Sequence, residues 1–99
     1  MVRNMDAATF KKTAQFIVKR NVSERVNRVL AGFDPKNGSL RLVYCTNGAP
    51  TEEDLEDCEI ACAELTAEFP EIRTAETQCQ PSEKCASENN QDEVFSRAY

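Results

Sequence analysis

Between Arg25 and Thr46 the chain alternates with a period of two on both sides of the loop Asp34-Pro35-Lys36-Asn37-Gly38, and no other feature restricts the fold so sharply. Before the loop, Val26, Arg28 and Leu30 alternate with Asn27, Val29, Ala31 and Phe33. After it, from Ser39 to Thr46, Leu40, Leu42 and Tyr44 share one face, and Arg41, Val43 and Cys45 share the other. This period belongs to strands, whose successive side chains point to opposite faces. Pro35 presets the first corner of the turn, and Gly38 supplies the positive φ needed to re-enter the ladder. The segment therefore predicts a β-hairpin.

On either side of the hairpin the period lengthens. Ala7, Phe10, Ala14, Ile17 and Val18 recur at helical spacing, which predicts a helix from about Ala7 to Lys19 capped by Asn4 or Asp6. Lys19 and Arg20 suit the negative end of its dipole. After the break at Asn47-Gly48-Ala49-Pro50, a second helix opens at Thr51, with Asp54 three residues on approximating a capping box. It runs to about Phe69, where Pro70 stops it. Strand character resumes over about Glu71 to Gln80 with few apolar residues. Residues 81–92 read as a polar, mobile loop, and Glu93 to Tyr99 as a closing edge strand. The fold predicted for residues 1–99 is a single small α+β domain. Two helices pack an antiparallel sheet of three to four strands, in the order α-β-β-α-β(-β).

Charge is divided along the chain. Residues 1–44 carry nine Lys/Arg and three Asp/Glu, whereas residues 45–99 carry three and fourteen; these nets of +6 and −11 sum to −5. An acidic balance argues against a protein that grips nucleic acid. The chain has no His, which removes Ser-His-Asp and Cys-His catalysis and every His-containing metal site. No apolar run approaches the roughly 20 residues a membrane-spanning helix needs, and the first ten residues carry no leader-like apolar stretch. Five cysteines are an odd number, so at least one thiol is unpaired. With no leader in view, free thiols and a cytoplasmic location are expected. Cys85, in the polar stretch, is the expected exposed thiol.

The second helix carries the candidate chemistry. At about 100° per residue, Leu55, Cys58, Cys62, Leu65 and Phe69 gather as a core stripe. Glu53, Glu56, Asp57 and Glu64 point the other way around Ile60, with Glu52, Glu59 and Glu68 at the flanks and Ala63 and Ala67 beside. An apolar centre ringed by carboxylates suits a basic protein partner, while a solvated acidic face is the plain alternative. Acid–base catalysis would need two carboxyls in unlike environments, and eight acids along one exposed helix offer no such contrast; no enzyme is expected. Cys45, Cys58, Cys62 and Cys79 could supply four thiolates to zinc, but buried Cys commonly acts as a small hydrophobe. Neither a metal nor another cofactor is expected.

The run from Leu40 to Asp57 and the run from Glu64 to Ile72 resemble small immunity proteins of bacterial polymorphic toxin systems, of the colicin and contact-dependent growth-inhibition kind. The matching features are a strand, the Pro50-Thr51-Glu52-Glu53-Asp54 helix opening, and the Glu64-Leu65-x-Ala67-x-Phe69-Pro70 closing, together about a third of the chain. The resemblance implies an antitoxin that binds and neutralises the C-terminal domain of a cognate toxin, commonly a nuclease. Such a toxin would be basic in order to hold phosphates. Glu53, Glu56, Asp57, Ile60 and Glu64 are then the expected contact, without nucleic acid or membrane as partner. The rival readings are a phage-type nucleic-acid-mimic inhibitor of a host nuclease and a thiol or zinc interaction module.

Overall fold

A computed structural model describes residues 6–85 and 92–96. Its elements follow the predicted order: α1 (Ala7–Arg20), β1 (Val26–Asp34), β2 (Ser39–Thr46), α2 (Glu52–Glu68), β3 (Thr74–Pro81), a 3-10 turn (Ser82–Lys84) and β4 (Asp92–Ser96). Asn4, the 86–91 part of the expected loop, and Tyr99 lie outside the described residues, as does the side chain of Ala7. The strands form one sheet ordered β3-β2-β1-β4.

The hairpin pairs Val29 with Tyr44, Ala31 with Leu42 and Phe33 with Leu40. These residues face the two helices and build the main core with Phe10, Ala14, Ile17 and Val18 of α1 and Cys58, Ala61 and Leu65 of α2. Phe69, just past α2, is fully buried in the same core and meets the Phe10 ring at 5.8 Å between centroids. The opposite face buries Leu30, Val43 and Cys45, against which Cys85 packs. One detail of the predicted alternation is corrected. The register slips between Val26 and Arg28, and this irregularity turns Val26 into the helix-covered core instead of placing it with Arg28 and Leu30.

The antiparallel expectation holds for β1 with β2 and for β1 with β4. It does not hold for β3, which runs parallel to β2 from Ser39↔Thr74 to Thr46↔Pro81. The physical reason lies in the connection. The chain leaves β2, runs through the 17-residue helix α2 and begins β3 beside the start of β2, which is how parallel neighbours are joined. The sheet is thus mixed within the α+β class.

The turn after β1 also anchors this crossover. Gly38 has φ +65°, and its carbonyl accepts from the Arg73 amide at 2.7 Å and the Thr74 amide at 3.1 Å. A Cβ added there would lie 2.9 Å from both the Glu71 carbonyl oxygen and Arg73 Cγ. Gly38→Ala is therefore expected to cost about 1–2 kcal/mol for the left-handed backbone alone. The check is a urea midpoint that falls with no change in m.

The thiol expectation is corrected in one place: Cys45 and Cys85, 40 residues apart, form a disulfide. It lies on the sheet face away from the helices, and Cys85 is a bonded residue rather than an exposed thiol. The Ser82 hydroxyl reinforces this closure, donating to the Thr46 carbonyl at 2.8 Å. With Cys45 in a disulfide, the four-thiolate zinc set cannot assemble. Cys58, Cys62 and Cys79 remain free.

Candidate protein-binding face of α2

Thr51 and Asp54 start α2 with a complete capping box. The Asp54 amide donates to Thr51 Oγ1 at 3.2 Å, and the Thr51 amide donates to Asp54 Oδ2 at 2.9 Å. Asp54 also accepts from the Ser23 hydroxyl at 3.2 Å and pairs with Arg25 Nε at 3.5 Å. Arg25 in turn donates to the Ala49 carbonyl at 2.7 Å. Asp54 is 0% exposed, so its contacts bind the start of α2 to the segment between α1 and β1.

That burial sets the rotation of the helix. The inward stripe is Asp54, Cys58, Ala61, Cys62 and Leu65. Leu55, expected in the core, is instead 45% exposed. One position along a helix is a turn of about 100°, so a buried Asp54 carries its neighbour out to the flank.

Opposite the stripe lie Glu52, Glu53, Glu56, Glu59, Ile60, Ala63 and Ala67, all exposed. Glu53, Glu56 and Ile60 follow one another at i, i+3 and i+7 and so share a side of the helix. Ile60 is 48% exposed. Asp57 and Glu64, seven residues apart, are half-buried and occupy the flank. Partial burial pushes the Asp57 carboxyl above the usual aspartate range, and the negative charges of Glu53, Asp54 and Glu56 push the same way. Like charges are crowded here. Among the described residues, none of the ion pairs involves Glu52, Glu53, Glu56, Asp57 or Glu59.

Glu64 differs from the other expected contact residues. It accepts from the Arg20 guanidinium and from Asn21 Nδ2, the latter at 3.2 Å, and so fastens α2 to the end of α1. The Arg20 guanidinium also stacks over the Phe16 ring, 4.7 Å from its centroid, and Phe16 is 63% exposed. The patch therefore continues across both helices, from Ile60 through the Glu64–Arg20 pair to Phe16. Sequence reasoning left Phe16 outside the buried stripe but gave it no role. Its membership depends on an ion pair spanning 44 positions, which local periodicity cannot reveal.

Such a surface supports protein contact: protruding apolar groups that can be desolvated, surrounded by charge that steers approach. Among the described residues, no cluster of three or more His, Cys, Asp and Glu side chains is arranged to hold a metal ion, and no helix is long and apolar enough to cross a membrane. No curated protein matches the chain. The sequence model of the MafI2 immunity protein family, however, matches residues 8–98, extending the resemblance of its central third to nearly its whole length. The chain thus belongs to the MafI2 immunity protein family.

Proposed function

We propose that this immunity protein neutralises its toxin by stoichiometric binding through the outward face of α2, and that the toxin is a nuclease with a basic surface. The carrying observation is the set of carboxylates unpaired among the described residues, Glu52, Glu53, Glu56, Asp57 and Glu59, where partial burial and then the neighbouring negative charges raise Asp57, beside a half-exposed Ile60. A cationic partner would relieve that repulsion, while Ile60 would give the contact a desolvated centre. Glu53, Glu56 and Asp57 are the proposed partners of toxin Lys and Arg, and Glu64 contributes at the edge while holding Arg20. A nuclease needs positive surface to engage phosphates, and complementary charge speeds capture, the property an antitoxin most requires. Because a nuclease does its damage where nucleic acid is, capture is proposed to occur in the cytoplasm.

Co-expression of the chain with its cognate toxin domain tests this reading. Restored growth, a one-to-one complex on purification, and loss of nucleic-acid cleavage by the purified toxin on titration are the expected results. Rescue without a stable complex would remove stoichiometric binding. A toxin that is neutralised but cleaves no nucleic acid would remove the nuclease assignment and leave the binding.

A further inference from the structure

The two edges of the sheet are built differently. Among the described residues, β3 pairs only with β2 and β4 only with β1. β4 spans five residues, and its register slips between Val29 and Leu30 of β1. A short, irregular strand is a poor template for further pairing. β3 spans eight residues and keeps one unbroken register from Thr74 to Pro81. Its single charged side chain is Glu76, which lies 3.9 Å from Arg41 Nε, and its only proline stands at the last position. The bulges, edge lysines and internal prolines that keep strand edges apart are missing from this strand.

An exposed apolar group lies beside the same edge. α1 packs against β4, and α2 against β3 and β2, so the flank of α2 away from α1 overlooks β3. Glu64 marks the α1 side of α2, since it holds Arg20. Leu55 precedes Glu64 by nine positions, about two and a half turns, and so occupies the opposite flank, 45% exposed.

We infer that the outer edge of β3 pairs antiparallel with the β3 edge of a second copy, forming one continuous sheet about a two-fold axis, with Leu55 of each copy turned toward its partner. The edge is self-complementary. A two-fold axis at Gln78 sets Glu76 of one copy opposite Gln80 of the other, and an axis between Thr77 and Gln78 sets it opposite Cys79. Like charges stand opposite in neither case. The outward amides and carbonyls of one strand meet those of an identical strand, the isologous contact of closed dimers. A basic toxin has little to draw it to an edge whose one carboxylate already lies near an arginine. The outward face of α2 stays open in the dimer, so the pairing does not depend on how the toxin is held. Each copy carries a charge of −5, and Glu59 shares the Leu55 flank. Self-association therefore works against repulsion and should strengthen with salt, whereas capture of a basic partner weakens.

The experiment is analytical ultracentrifugation of the full chain from micromolar to millimolar concentration at low and high salt, with hydrogen exchange at both ends of the concentration range. The expected result is a rise from 11.1 kDa to twice that mass. Salt should tighten the dimer about threefold or more, and amide protection should grow with concentration in β3 but not in β4. Thr77→Lys places two ammonium groups beside the axis and should weaken the dimer about tenfold or more. Ala75→Lys, at an exposed position of the same strand, repeats the test if Thr77→Lys melts early. A chain that stays at 11.1 kDa throughout would overturn the inference. So would a dimer whose protection falls on β4 or on the helices alone, or one that both lysine variants leave intact. Protection of β3 that arises only when toxin is added would give the edge to the toxin and overturn the inference as well.

Discussion

Asp54→Ala is expected to destabilise the fold by about 2–4 kcal/mol, the sum of a lost N-terminal cap and of buried polar groups left without their acceptor. Asp54 holds the Thr51 amide, the Ser23 hydroxyl and Arg25 at once. Arg25 can turn to water, being 43% exposed along its side chain, which keeps the loss below that of a fully buried orphan charge. The acid limb provides a second signature. Burial disfavours the Asp54 carboxylate, but the hydrogen bonds from Thr51, Ser23 and Arg25 outweigh it, and the carboxyl lies below the usual aspartate range. A lowered folded-state pKa contributes stability above the unfolded value, near 3.9, and that contribution is lost as pH falls through the folded value. The difference between wild type and Asp54→Asn should therefore be largest at neutral pH and shrink below about pH 4. Urea titrations at several pH values measure both effects. A wild-type advantage that stayed constant down to pH 2 would show that the carboxylate charge plays no part.

Asp54 also marks the limit of what the sequence discloses. The hairpin was legible because alternation, Pro35 and Gly38 each state the same local geometry, and the structure pairs the predicted residues. The limits of α2 were legible because Thr51 and Pro70 act within one turn of themselves. The inward stripe was misread at one position, since periodicity ranks Leu55 above Asp54 as a core residue. Only the contacts to Ser23 and Arg25, some thirty positions away, make an aspartate the better occupant. The direction of β3 was hidden for a similar reason. Its exposed first half, from Thr74 to Glu76, bears no apolar pattern that fixes a register, and only the helical crossover before it sets the direction. The Cys45–Cys85 bond joins a strand to a polar stretch, and an odd count of five could not reveal that one pair closes. Within the candidate site, Glu53, Glu56 and Ile60 were readable from one helix. The engagement of Glu64 by Arg20 was not, because in sequence one glutamate looks like another.

The double charge reversal Glu53→Lys with Glu56→Lys is expected to slow association with the cognate toxin by about 10–100-fold at low salt, while thermal stability stays near wild type. Both side chains are exposed and neither makes an ion pair among the described residues, so the substitution breaks no such pair and eases the crowding around Asp57. Its penalty should fall on encounter. The wild-type rate should drop as salt rises, whereas the double mutant should show a weak or inverted salt dependence, because screening shortens the reach of exposed charge. Ile60→Ala should behave differently. The small residue would approach at the wild-type rate but leave about tenfold faster, since a desolvated apolar anchor acts mainly on dissociation. Stopped-flow association at two ionic strengths, paired with dissociation by competition, separates the two effects. If both variants associated and dissociated like wild type, α2 would not be the toxin-facing surface. A defect confined to Phe16 and Arg20 variants would place the contact on the α1 side of the same patch, with Glu64 positioning Arg20 rather than meeting the toxin.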